Sequence, residues 1–122
     1  MTDTRPVAIL AEDEPLVRME AADMLDALGF EVVEACHATE AMRLLESLTR
    51  VALLYTDIRM PGIMTGIDLA HVCADRWPET RIIVCSGCLP EEAAELPDAA
   101  HFIPKPCVER AVQTALRALR LH

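Results

Sequence analysis

The 122-residue chain places three acids in a row at Glu12-Asp13-Glu14, a further acid at Asp57, a hydroxyl followed by glycine at Ser86-Gly87, and its only lysine at Lys105. Each group follows a short apolar run, so if those runs are neighbouring parallel strands, the groups meet at one sheet edge. Carboxylates about 5 Å apart repel by roughly 3 kcal/mol per pair at an effective dielectric of about 20. Stability alone gives no reason to accept that cost, and something positive belongs among them. Oxygen ligands without a supporting His and Cys set favour a hard divalent ion, Mg²⁺ (or Mn²⁺), with a phosphate completing its shell. A metal, a hydroxyl donor and an ammonium are the parts that stabilise phosphoryl oxygens, and Asp57 at their centre has the chemistry of a carboxylate nucleophile. For any one of these acids a solvated loop residue or helix N-cap is an equally good account. The reading rests on the ordered set.

The elements that must position these groups alternate five times. Val7 to Ala11 is a continuous apolar run ending in charge, as expected of a strand buried on both faces. After Pro15, Val17, Ala21, Met24, Leu25 and Leu28 recur at helical spacing and Gly29 follows as a stop. Glu31 to Ala35 reads as a second strand, and Ala41, Leu44, Leu45 and Leu48 as a second helical stripe. Val51 to Thr56 is a third strand ending at Asp57, and a turn-rich loop from Met60 to Gly66 leads to a third helix with Leu69, Ala70, Cys73 and Trp77 on its stripe. Arg81 to Cys85 is a fourth strand, Glu91 to Leu96 a short helix between Pro90 and Pro97, and His101 to Ile103 a brief fifth strand. The last helix carries Val108, Ala111, Val112, Ala115, Leu116 and Leu119. Such alternation predicts an α/β fold, a parallel sheet covered on both faces with right-handed crossovers. Its chemistry belongs at the carboxyl ends of the strands.

Composition excludes several classes. A chain of this length holds one domain, spanning 1–122, with no room for an output module. With 52% hydrophobic and 25% charged residues it can bury a core. Twenty acids against ten arginines and one lysine give a net charge of −9, which argues against direct nucleic-acid or membrane partners and for a protein or cation. The longest uncharged run, Ile82 to Pro90, has nine residues, against the roughly 20 that span a bilayer. The N-terminal segment, Met1 to Arg5, has no apolar signal core, so a cytoplasmic location is expected. Five cysteines, an odd number, are expected to be reduced thiols.

Four segments in order, Leu10-Ala11-Glu12-Asp13-Glu14, Thr56-Asp57-Ile58-Arg59-Met60-Pro61-Gly62, Ile82-Ile83-Val84-Cys85-Ser86-Gly87 and Phe102-Ile103-Pro104-Lys105-Pro106, resemble the receiver domain of two-component response regulators, over about residue 6 to the end. The resemblance implies a chemotaxis-regulator-like single domain with a (βα)5 flavodoxin-like three-layer sandwich and strand order 2-1-3-4-5. It implies Asp57 as phosphoacceptor, Asp13 as a direct Mg²⁺ ligand, Glu12 as a ligand through water, and the backbone carbonyl of Arg59 as a further ligand. Ser86 matches the switch hydroxyl, Gly87 the small residue that admits a phosphodonor, Lys105 the phosphoryl-pairing lysine and Phe102 the aromatic switch. The implied partners are a histidine kinase or phosphotransfer protein and an unknown downstream protein, with the domain a monomer or weak dimer and not an enzyme.

The sequence departs from the family pattern in three places. The loop Gly62-Ile63-Met64-Thr65-Gly66 is one residue longer than the commonest form and has Thr65 where an acid is expected. The segment between Ser86 and Phe102 is short, which trims helix four, and Phe102 lacks a phenol hydroxyl, so its switching would rest on packing alone. Cys85-Ser86-Gly87-Cys88 is a CxxC without a redox-fold context and reads as structural. His37, His71, His101 and His122 lack metal-ligand spacing, and His37 falls near the start of helix two. Arg110, Arg117 and Arg120 read as a solvated face of the last helix, and Trp77-Pro78 as the end of helix three. Two alternatives stay open: an interaction module that signals without phosphate, and a receiver excised from a hybrid kinase. An aspartate-nucleophile phosphatase would need a DxD pair on strand one, which Glu12-Asp13-Glu14 does not supply.

Overall fold

The computed structural model describes residues 5–87 and 90–119. Ten elements alternate along the described residues: β1 (Val7–Ala11), α1 (Pro15–Ala27), β2 (Glu31–Ala35), α2 (Ala38–Ser47), β3 (Leu53–Thr56), α3 (Gly66–Arg76), β4 (Arg81–Ser86), α4 (Pro90–Ala93), β5 (Ala100–Pro104) and α5 (Glu109–Ala118). All four strand pairings are parallel and the order is β2-β1-β3-β4-β5, the expected α/β sandwich.

Successive strand residues point to opposite faces, and the sheet divides its core accordingly. Ile9, Ala11, Leu54, Ile82 and Val84 pack with Ala41 and Leu45 of α2 and Leu69 and Cys73 of α3. Ala8, Leu10, Leu53, Tyr55, Ile83, Cys85 and Ile103 pack on the other side with Leu25 and Phe30 and with Val112 and Leu116 of α5. With both faces of the central strands covered, β1 is apolar throughout, and β3 follows two leucines with Tyr55 and Thr56, both buried. No described helix is long and apolar enough to cross a membrane.

Several element boundaries differ from those expected from the sequence. β4 runs through Ser86 and β5 from Ala100 to Pro104 because the two pair in register from Ile82 with Ala100 to Ser86 with Pro104. Pro104, which lacks an N–H, is tolerated at the end of an edge strand. α4 is only four residues long and continues as a turn. Val108, assigned above to the apolar stripe of the last helix, is instead the extended N-cap residue of α5 and is exposed. His37 lies at the start of α2 as anticipated, and there it caps the helix, its Nδ1 accepting from the Glu40 N–H at 3.1 Å. Thr65, the departure from the family pattern, serves locally. Its hydroxyl accepts from the Asp68 N–H at 3.2 Å, and Asp68 accepts from the Thr65 N–H at 3.0 Å. This reciprocal capping box starts α3. Cys88, Arg120 and His122, together with residues 1–4 of the N-terminal segment, lie outside the described residues.

Candidate functional site

The register of β1 against β3 pairs Ala11 with Thr56 and so delivers the next residues, Glu12 and Asp57, side by side at one sheet edge. The Asp57 N–H continues the ladder by donating to the Ala11 carbonyl at 3.2 Å. Both acids are buried, Glu12 at 5% and Asp57 at 8% exposure. Lys105, reaching in from the end of β5, places Nζ 2.9 Å from Asp57 Oδ2 and 3.5 Å from Glu12 Oε1. The other carboxylate oxygens are also held: Asp57 Oδ1 accepts from the Ile58 N–H at 2.6 Å, and Glu12 Oε2 from the Glu14 N–H at 3.0 Å. Arg18 of α1 donates to the Glu12 carbonyl at 2.9 Å, fixing the end of β1.

The charges explain the arrangement. Burial raises the pKa of Glu12 above the usual glutamate value, the Glu14 N–H and Lys105 pull it down, and neighbouring Asp57 and Asp13 push it up again. For Lys105 burial alone would lower the pKa, but the hydrogen bond and charge of Asp57, joined by those of Glu12, outweigh it and hold the ammonium above its ordinary value. Lys105 therefore stays charged at neutral pH and answers the repulsion between two buried carboxylates. A compact ammonium with three donors suits two acceptors converging from different strands.

Ser86 is buried at the end of β4, and its carbonyl accepts from the Lys105 N–H at 3.2 Å, so hydroxyl and ammonium belong to adjacent strand ends. Gly87 is exposed, and among the described residues a Cβ there would meet nothing within 4 Å. Phe102, on β5 opposite Val84, is half-buried against the α2–α3 side of the core. Asp13 is exposed and opens, with Arg59, Pro61 and Glu92, onto a cleft of about 550 Å³. The Arg59 side chain turns away to pair with Glu92 at 2.5 Å. Among the described residues no three His, Cys, Asp or Glu side chains converge as a set that could hold a metal ion, and the gap between Glu12 and Asp57 is bridged by Lys105. The donor chemistry does fit a hard divalent ion, being all oxygen, and the upward push of the Asp57 charge on Glu12 records negative charge that a cation would offset.

Four features escaped the sequence reading. Gly66, the first residue of α3, donates its N–H to the Ile58 carbonyl at 2.8 Å, and a Cβ there would stand 1.8 Å from the Asp57 carbonyl oxygen. That same oxygen accepts from the Thr56 hydroxyl at 2.8 Å. Tyr55 lines a second cleft, of about 700 Å³, beside Glu12, Asp57 and Lys105, and burial followed by the charges of Glu12 and Asp57 raises its phenol pKa strongly. Position in a buried strand hid it, although it is the only tyrosine of the chain. The expectation of reduced thiols throughout is corrected as well: Cys85 and Cys107 are joined as a disulfide, while Cys36 and Cys73 are free. Twenty-two residues separate the pair, and only the β4–β5 register brings them together.

The same fold recurs in known proteins. A family model described as the response regulator receiver domain matches residues 8–117. The transcriptional regulatory protein PdtaR of Mycobacterium tuberculosis is 42% identical over 69 residues, which are 56% of this chain and 33% of that protein. The phyllosphere-induced regulator PhyR of Methylorubrum extorquens is 27% identical over 101 residues, 80% of this chain and 37% of that protein. The chain thus spans about a third of the length of the curated relatives it matches. Among solved structures, a response regulator receiver protein from Pseudomonas putida superposes with a TM-score of 0.78 at 27% identity, covering 99% of this chain and 100% of that one. A response regulator receiver protein from Sinorhizobium medicae superposes with a TM-score of 0.88 at 24% identity, covering 97% and 96%, a likeness of fold. With the family's model matching nearly the whole chain, the two-component motifs standing in order along it and the fold repeated in these structures, the chain belongs to the response regulator receiver domains.

Proposed function

We propose that this domain accepts a phosphoryl group on Asp57 from a histidine kinase or phosphotransfer protein and signals by the change that follows at Ser86 and Phe102. The observation that carries the reading is the 2.9 Å contact between Lys105 Nζ and Asp57 Oδ2, in which a protonated lysine is already poised over the oxygen where phosphoryl charge would gather. In the reaction, an Asp57 carboxylate oxygen attacks phosphorus, the P–N bond of a phosphohistidine breaks, and the departing imidazole keeps the electron pair and takes up a proton. Lys105 shifts its donors from the carboxylates to the new phosphoryl oxygens, and the Ser86 hydroxyl donates to another. The Ile58 N–H holds the Asp57 oxygen that does not attack. Asp13, Asp57, the Arg59 carbonyl and, through water, Glu12 would hold Mg²⁺ (or Mn²⁺), which supplies charge neutralisation on the transferring group. Gly87, with open space where a side chain would be, admits the donor.

The chemistry is confined to transfer and later hydrolysis of the acyl phosphate, so we place the domain among signalling domains rather than enzymes. The net charge of −9 favours a protein partner over nucleic acid or membrane, and we place the domain in the cytoplasm as a monomer or weak dimer. Incubation with Mg²⁺ and acetyl phosphate tests the reading: a mass gain of about 80 Da that Asp57→Asn abolishes supports it, and a folded wild type without that gain overturns it. One observation favours a second reading, a module that signals without phosphate: the Lys105 ammonium already bridges Glu12 and Asp57, so their charge is answered from within the chain. Mg²⁺ affinity separates the two, because such a module has no use for the ion.

A further inference from the structure

Cys85 and Cys107 sit on either side of the machinery described above without belonging to it. Cys85 precedes Ser86, and Cys107 follows Lys105 by two residues. Their Cα atoms are 6.4 Å apart in the linked pair, within the span of roughly 4.4–6.8 Å that disulfides usually bridge. Between them lies the hydrogen bond from the Lys105 N–H to the Ser86 carbonyl, so the link closes directly around the contact that joins the ends of β4 and β5. Both cysteines line the cleft of about 700 Å³ between α1 and the start of α5, which gives a small molecule access to them. We propose that Cys85 and Cys107 are a reversible, hydroperoxide-sensitive dithiol whose closure latches the end of β4 to the loop that carries Lys105.

The cleft selects the oxidant. Among the described residues its lining carries Glu12, Glu20, Asp57 and Glu109 against the single cation Lys105, so an anionic oxidant such as glutathione disulfide is repelled where neutral hydrogen peroxide is not. The order of events follows from position. Cys85 is 5% exposed, whereas Cys107 is half-buried, so Cys107 is the sulfur that an oxidant entering the cleft reaches first. The Cys107 thiolate attacks one peroxide oxygen, the O–O bond breaks, and the hydroxide released takes up a proton, leaving a sulfenic acid and one water. The Cys85 thiol then attacks the Cys107 sulfur, its proton and the departing hydroxide forming a second water, and the disulfide closes. Overall two thiols are oxidised and one peroxide is reduced to two waters, and an exogenous dithiol reverses the step by exchange. This dithiol chemistry is independent of phosphoryl transfer and stands without it. On the phosphoacceptor reading, the latch limits how far Ser86 and Lys105 can move.

The test uses the whole protein, reduced with dithiothreitol, freed of it, and treated with one equivalent of hydrogen peroxide before alkylation and mass spectrometry. Cleavage after Glu91, Glu92 and Glu95 separates the two cysteines, so their link appears as a joined pair of peptides. The expected product joins Cys85 to Cys107, is undone by dithiothreitol, persists in Cys88→Ser and is missing in Cys107→Ser. Glutathione disulfide at equal concentration should give about tenfold less of it. Amide hydrogen exchange at Lys105 should slow by about tenfold on oxidation. A link through Cys88, Cys107 driven to sulfinic acid with Cys85 still alkylatable, equal yields from the two oxidants, or Lys105 exchange that ignores the redox state would each overturn the proposal.

Discussion

Gly66 approaches Asp57 so closely that a Cβ on it would stand 1.8 Å from the Asp57 carbonyl oxygen. The start of α3 and the end of β3 are therefore one packed unit, and the position of the candidate phosphoacceptor depends on the absence of a side chain at the first residue of the following helix. Gly66→Ala forces backbone apart, since the carbonyl it would strike is also held by the Thr56 hydroxyl. We expect a loss of about 1–3 kcal/mol in urea unfolding, together with slower phosphoryl uptake. Gly87→Ala, where a Cβ meets open space, should leave the unfolding midpoint unchanged.

Mg²⁺ should stabilise the folded domain. At a concentration about 100 times its dissociation constant the gain is about 2.7 kcal/mol by mass action, read as a shift of the urea midpoint that chelation reverses. Asp57→Asn and Asp13→Asn should lose most of that shift. A wild type whose midpoint ignores Mg²⁺ would favour signalling without phosphate.

Lys105→Arg tests the compact ammonium. Arginine keeps the charge opposite Glu12 and Asp57, so the domain should stay folded and still take phosphate from acetyl phosphate. A rigid planar fork does not reproduce a point charge shared between two strands. The accompanying change in amide exchange at Ser86 and Phe102 should therefore disappear while the phosphate mass gain persists.

Cys73 and Cys36 should separate in a thiol titration. Burial in α3 pushes the Cys73 thiol up to about 12, while Cys36 is exposed. Since the thiolate is the nucleophile, iodoacetamide at mildly alkaline pH should label Cys36 and spare Cys73 until the protein is unfolded. The same shift has a stability consequence. The folded pKa lies above that of the unfolded chain, so the contribution of Cys73 is fully present below the unfolded value and is lost as pH rises toward about 12. Urea midpoints measured from neutral to strongly alkaline pH should fall less steeply in Cys73→Ala.

Much of this molecule is legible in one dimension. Apolar runs of strand length, helical stripes and turn residues mark the ten described elements, because burial on both faces favours long apolar runs in the central strands while each helix needs only one apolar side. The chemistry-bearing residues were legible for a related reason: Glu12, Asp57, Ser86 and Lys105 each stand just where an apolar run stops, and a parallel sheet sends all such ends to one edge. What the tertiary structure decided are contacts that depend on register and depth. Lys105 reaches Asp57 across 48 residues and bridges Glu12 rather than Asp13, because the β1–β3 register turns Glu12 inward and leaves Asp13 exposed. The pairing of Cys85 with Cys107, invisible beside the nearer Cys85–Cys88 spacing, follows from the alignment of β4 with β5. Gly66 reads in the sequence as an ordinary loop glycine, and its role follows from the packing of α3 against the Asp57 carbonyl. Periodicity reports which face of an element is buried, but not which atoms of distant segments touch, and that is settled only when the strands take their order and their register.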